Sequence, residues 1–129
     1  MIRNNIVTYA AILGGAFLVL VGFLGFCFPI VFGLHLSALT NFLHLASGAL
    51  ALYFGLKSAS LAAARTFCQA MGALYALAGG AGLVGAFALS SGASMLEIME
   101  HLAHLLVGAG FVAAALIQPG RPTLFSQRP

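Results

Sequence analysis

The residues best able to do chemistry in this chain fall in two short stretches, one with Asn41 and His44, the other with Glu97, Glu100, His101 and His104. A neutral imidazole can hold a haem iron or a pigment metal through one ring nitrogen, and it exchanges protons near neutral pH. At helical spacing, Ser37, Asn41, His44 and Gly48 line one stripe. Glu97, His101, His104 and Gly108 line another, with Glu100 one i,i+4 step from His104. His44 and His104 are therefore the candidate ligands of a haem or of a chlorophyll-type pigment. Asn41, Glu100 and His101 are the accompanying cofactor-binding candidates. Gly48 and Gly108, one turn further along, would leave room for a macrocycle.

Two other chemistries use the same residues. Glu100, His101, His104 and His44 form a candidate metal site, although no Glu-x-x-His pair occurs on two helices as a di-iron bundle needs. Alternatively His104 exchanges protons with Glu100 at a proton or quinone site. Plain structural roles compete with all three. Ser94-Met95-Leu96-Glu97 fits a capping box, and Asn41 and His44 suit hydrogen bonds that fix helix register. His35 falls in a break and reads as solvated.

The elements that must position these groups follow from composition. Of 129 residues, 62% are hydrophobic and 5% charged, against about 25% charged in soluble domains. Mean hydropathy is +1.10. So few charges cannot cover a soluble surface, so a water-soluble enzyme or nucleic-acid binder is excluded, and the hydrophobic content excludes disorder. The net charge of +3 comes from five scattered cations rather than a basic patch. The expected class is an all-α integral membrane protein.

A membrane span needs about 20 apolar residues. Four stretches qualify, at about 6–28, 36–55, 63–89 and 95–117, and they fill the chain as one domain over residues 1–129. The breaks are short, with Pro29 and Gly33 in the first, Lys57 to Ser60 in the second, and Ser90 to Ser94 in the third. Short breaks predict an up-down-up-down four-helix bundle. Arg3, Lys57, Arg65, Arg121 and Arg128 then share one side, which places both termini in the cytoplasm. The first span is too long for a signal peptide and no cleavage motif follows it. From starts near Ser37 and Ser94, His44 lies about 10 Å deep and His104 about 15 Å deep, both in the outer half.

The spans also echo one another. Asn41-Phe42-Leu43-His44-Leu45-Ala46-Ser47-Gly48 aligns with His101-Leu102-Ala103-His104-Leu105-Leu106-Val107-Gly108 at an offset of 60 (104 − 44). Gly14, Phe17 and Gly22 match Gly72, Tyr75 and Gly80 at an offset of 58 (72 − 14). This predicts two parallel two-helix repeats about an axis along the membrane normal. Small residues on the first span (Gly14, Gly15, Gly22, Gly25) and the third (Ala76, Gly80, Ala81, Gly82, Gly85) predict close helix packing or a face for another subunit. Cys27 and Cys68 sit at opposite depths and are expected to stay unbridged.

Asn41-x-x-His44-x-x-x-Gly48, the Gly22-x-x-Gly25-Phe26 ending, the Gly72-x-x-Tyr75 entry and the second His-x-x-x-Gly resemble domain-of-unknown-function family 4383, which comprises small bacterial four-helix membrane proteins. The resemblance runs from about Tyr9 to Ile117. It implies four spans and paired histidines but no activity. Where it leads one to expect Asn or Asp, three residues before the second histidine, this chain has His101.

The function expected from the sequence is non-enzymatic. The chain reads as an accessory or scaffold subunit of a larger complex in a bacterial inner or intracytoplasmic membrane. Lipid and other helices, or copies of the same chain, are its partners, and nucleic acid is not. The alternative is a haem- or pigment-binding electron-transfer or light-harvesting protein using His44 and His104. The proton, quinone or metal site at Glu100, His101 and His104 comes third.

Overall fold

Serine hydroxyls start three of the four helices. The computed structural model describes residues 6–28, 30, 37–57, 60–88 and 92–117. Helix α1 spans Ile6–Cys27, α2 Ala38–Leu56, α3 Leu61–Ala88 and α4 Met95–Ile117, and each is long and apolar enough to cross a membrane. The first backbone amides of a helix lack intrahelical acceptors, and a side-chain oxygen at the N-cap supplies one. Ser37 Oγ accepts from the Thr40 amide at 3.1 Å, Ser60 Oγ from the Ala63 amide at 3.3 Å, and Ser94 Oγ from the Glu97 amide at 3.2 Å. These caps move two expected boundaries. The second helix begins after Ser37 rather than at 36, and the third begins at Leu61 rather than 63. Ser37 is accordingly an exposed cap and not part of the stripe that faces the bundle. His35, Arg3, Arg121, Arg128, Pro29 and Gly33 lie outside the described residues.

The helices associate as two tight pairs. α1 packs along α2 and α3 along α4, with far less contact between the pairs. Glycine makes each pair possible. A methyl group built on Gly15 would stand 2.9 Å from the Gly48 carbonyl oxygen, and one on Gly48 would stand 2.7 Å from the Val19 amide nitrogen. In the second pair a methyl on Gly72 would stand 2.9 Å from the Gly108 carbonyl oxygen, and one on Gly108 would stand 2.5 Å from the Ala76 amide nitrogen. Backbone therefore meets backbone at both crossings, which is how helices gain contact energy when lipid is as apolar as their own side chains. The partners run in opposite directions, since Gly15 meets Gly48 while Gly55, further along α2, meets Ile12 and Thr8, earlier on α1.

The apolar core lies toward the α2–α3 connection. Phe54 stacks on Phe67 at 4.9 Å between ring centroids, and Phe67 meets Phe111 edge-on at 6.4 Å. Val7, Ala11, Ala51, Cys68, Ala114 and Ala115 fill in around them. Cys27 is exposed, Cys68 is buried, and both are free. Beyond this core every buried position of α2 except Gly48 and Ala51 is polar: Asn41, His44 and Ser47.

The register between α1 and α3 is one residue away from the expected one. The buried residues of α1 are Val7, Ala11, Gly15, Leu18 and Gly22, and those of α3 include Ala64, Cys68, Gly72, Tyr75 and Gly79. These coincide at an offset of 57 (72 − 15), not 58. The partners paired at an offset of 58 do not share burial: Phe17 is exposed where Tyr75 is buried, and Gly22 is buried where a methyl on Gly80 would meet nothing within 4 Å. Gly48 and Gly108 are both buried in their crossings.

Close approach at the crossings sets a test. Gly48→Ala and Gly108→Ala should each cost about 1–3 kcal/mol through overpacking. Gly80→Ala and Gly110→Ala, which add a methyl into open space, should stay within about 0.5 kcal/mol or stabilise slightly. Unfolding titrations with sodium dodecyl sulfate in mixed micelles read all four.

Candidate functional site

Where the two helix pairs meet, three rings form a cluster. His44 and His104 stand 5.8 Å apart between ring centroids, Tyr75 and His104 5.7 Å, and His44 and Tyr75 6.3 Å. The planes lie within 26° of one another. Such spacings are those of favourable aromatic pairs.

The hydrogen bonds around the rings can be assigned by elimination. Ser47 Oγ donates to the His44 carbonyl at 3.2 Å, because a carbonyl only accepts. The contact of 2.8 Å between Ser47 Oγ and Tyr75 Oη is then a bond donated by the tyrosine. His104 Nδ1 lies 2.8 Å from the Glu100 carbonyl oxygen and must be the protonated nitrogen. In a neutral ring this leaves His104 Nε2 as a bare acceptor. Three buried side-chain atoms have no hydrogen-bond partner among the described residues: His44 Nδ1, at the cluster, and Asn41 Oδ1 and Arg65 Nε, away from it. An unpaired buried polar atom is costly in a protein interior and calls for an explanation.

A groove of about 370 Å³ opens beside this cluster, between α2 and α3. Its floor is His44, Ser47, Tyr75 and His104, and its walls include Leu43, Leu50, Met71 and Leu74. The volume falls within the range of small-molecule sites, roughly 300–1,000 Å³.

Of the residues singled out from sequence, His44 and His104 are brought together. Asn41 and His101 are not part of the cluster. Each lies inside its own helix pair, Asn41 over Gly25 and His101 over Gly82, where a methyl would collide with the side chain. Glu100 reaches His104 through its main-chain carbonyl, not through its carboxylate. Glu97 completes the capping box, its Oε2 accepting from the Ser94 amide at 2.8 Å and from Ser94 Oγ at 3.0 Å. Among the described residues no three His, Cys, Asp or Glu side chains gather as a metal site. Gly48 and Gly108 leave no space beside the histidines, because each is closed by the opposing backbone of its own pair.

Sequence reasoning overlooked Ser47 and the role of Tyr75. Ser47 sits one helical turn after His44 on the same side. Tyr75 lies on the buried stripe of α3 with Gly72 and Gly79. A polar residue on an otherwise small, buried stripe was the available signal.

Four long apolar helices with an internal cluster of histidines and a tyrosine define the class of molecule. Compared with family models, curated proteins and solved structures, the chain matches none.

Two measurements follow from the bonding pattern. A double-mutant cycle on Ser47→Ala and Tyr75→Phe should give a coupling of about 0.6 kcal/mol and no more than about 1.7, the range of interhelical hydrogen bonds in bilayers. Nitrogen-15 resonances of the His104 ring should keep a protonated Nδ1 in Glu100→Gln, since the acceptor is the peptide carbonyl. A tautomer change in that variant would show that the carboxylate holds the ring.

Proposed function

We propose that the chain is a four-span integral membrane protein that acts without catalysis, as an accessory or scaffold subunit of a larger membrane complex. The distribution of polarity carries this reading. Only 17–28% of the most apolar window of each helix is buried, so large apolar residues such as Leu13, Phe23, Leu77 and Phe87 face outward. Asn41, His44 and Ser47 face inward. Water would favour the reverse, whereas lipid and neighbouring helices favour this arrangement.

In this reading the helices cross in up-down-up-down order, and the five cations form the cytoplasmic rim with both termini. The helix pairs are parallel repeats, supported by the offsets of 57 and 60 at which glycine crossings and buried positions recur. The membrane is a bacterial cytoplasmic or intracytoplasmic one, in keeping with the resemblance to domain-of-unknown-function family 4383. The outer surface also supports a subunit role. Methyl groups on Gly80, Gly85 and Gly110 would meet nothing within 4 Å, and small outward residues let a further helix approach closely. A haem or pigment between His44 and His104 would require Tyr75 to withdraw and the pairs to separate. The scaffold reading requires neither.

Extraction from native membranes in mild detergent tests the subunit role. The particle's protein mass should exceed the 13.2 kDa of one chain, and a lone monomer would overturn the reading. Topology is tested with an impermeant maleimide on spheroplasts. In a Cys68→Ala background Cys27 should label from outside, and Lys57→Cys, with Cys27 replaced by Ala, only after lysis.

A further inference from the structure

Among the described residues two grooves lie in equivalent places, and of this pair one has a polar floor. We infer that the groove between α2 and α3 binds an uncharged, lipid-soluble phenol or hydroquinone whose ring hydroxyl donates to His104 Nε2. The inference rests on the membrane reading above, because such a ligand enters from lipid, but not on the subunit role.

The second groove, about 250 Å³, lies between α1 and α4, where Gly14, Phe17, Val107 and Gly110 line it. Shifting α1 by 57 residues and α4 back by 60 takes these to Met71, Leu74, Ser47 and Leu50, all of which line the first groove. The groove is thus a product of how the pairs meet, and an apolar lining is enough to form it. Leu18, which corresponds to Tyr75, is likewise apolar and buried. Ser47, Tyr75 and the two histidines therefore exceed what packing needs, and the excess is confined to one groove.

The hydrogen-bond inventory selects the ligand class. Both hydroxyl hydrogens are committed, Tyr75 to Ser47 and Ser47 to the His44 carbonyl. In the neutral ring His104 Nε2 accepts, because Nδ1 donates to the Glu100 carbonyl. His44, 7% exposed, lines the groove, and its Nδ1 is buried without a partner among the described residues. Such a floor is richer in acceptors than in donors, so its complement is a hydroxyl. A quinone or ether would find at most the single N–H of His44. No lining residue carries a fixed charge, so an ionic headgroup would have no counter-charge. Because the three ring planes lie within 26°, a flat ring fits parallel to them. The walls of Leu43, Leu50 and Leu74 accept a hydrocarbon tail.

The test uses the full chain in detergent with para-dodecylphenol and its methyl ether, para-dodecylanisole, which differ only in the hydrogen-bond donor. The phenol should bind saturably and about tenfold or more tighter than the ether, the discrimination expected of one buried hydrogen bond. It should move the His104 Nε2 nitrogen-15 resonance, and the ether should not. His104→Phe should erase the preference, and Ala78→Phe, at the groove lining, should abolish binding. Gly110→Leu, which fills the other groove, should change neither. Equal affinities, a preference that survives His104→Phe, or loss of binding in Gly110→Leu would each overturn the inference. If His104→Phe does not fold, an unmoved Nε2 resonance in the native chain overturns it. Failure of the membrane reading is seen separately, as Cys27 and Lys57→Cys labelling from the same side.

Discussion

The structure depends on backbone touching backbone at two glycine crossings, Gly15 against Gly48 and Gly72 against Gly108. The four helices are long and apolar enough to cross a membrane, and helices of that kind gain little from burying hydrocarbon when lipid surrounds them, so close packing supplies the attraction. Glycine lets the axes approach until side chains such as Val19, Leu45, Val112 and Leu105 pack directly on the opposing main chain. Each crossing fixes a helix pair, and the pairs then meet through larger side chains. The phenylalanines at 54, 67 and 111 fill one end of that contact. His44, Tyr75 and His104 occupy the contact further toward the α1–α2 end. The polar cluster thus lies at the looser of the two kinds of interface, which is why grooves flank it.

The same crossings decide what the polar residues can do. A helix that presents glycine to its partner must turn its next stripe elsewhere. On α2, Gly48 and Asn41 face α1, so His44 and Ser47 are rotated toward α3 and α4. On α4, Gly108 and His101 face α3, and His104 is rotated toward α2 in the same way. Asn41 and His101 are drawn into the pairs, where Gly25 and Gly82 give them space. Four residues that share two helical stripes in sequence are thereby sorted into two at the interface and two inside the pairs.

Much of the fold was legible because it follows from length and hydropathy. The four helices and the capping box at Ser94 and Glu97 need only local rules. The meeting of His44 and His104 was also foreseeable from their equal spacing to Gly48 and Gly108. The α1–α3 register was not. In a run rich in Gly, Ala and Leu, shifts of 57 and 58 match letters almost equally well, and only burial separates Gly15 from Gly14. The participation of Tyr75 and the direction of Gly48 were hidden for a related reason. Periodicity gives a residue's stripe but not which neighbour that stripe meets.

The difference between the two grooves bears on how such a fold accommodates specificity. Where α1 meets α4, Val107, Gly110 and Phe17 line the space, and nothing there distinguishes one hydrocarbon from another. Where α2 meets α3, their equivalents are Ser47, Leu50 and Leu74, and a tyrosine and two histidines stand beside them. Polar groups in an apolar interior are costly unless bonded, and this cluster satisfies its hydroxyls internally while leaving His44 Nδ1 without a partner among the described residues. A purely structural network would close on itself, as the Tyr75–Ser47–His44 carbonyl sequence does. Unpaired imidazole capacity beside an open apolar groove is better explained by a partner that comes from outside the chain.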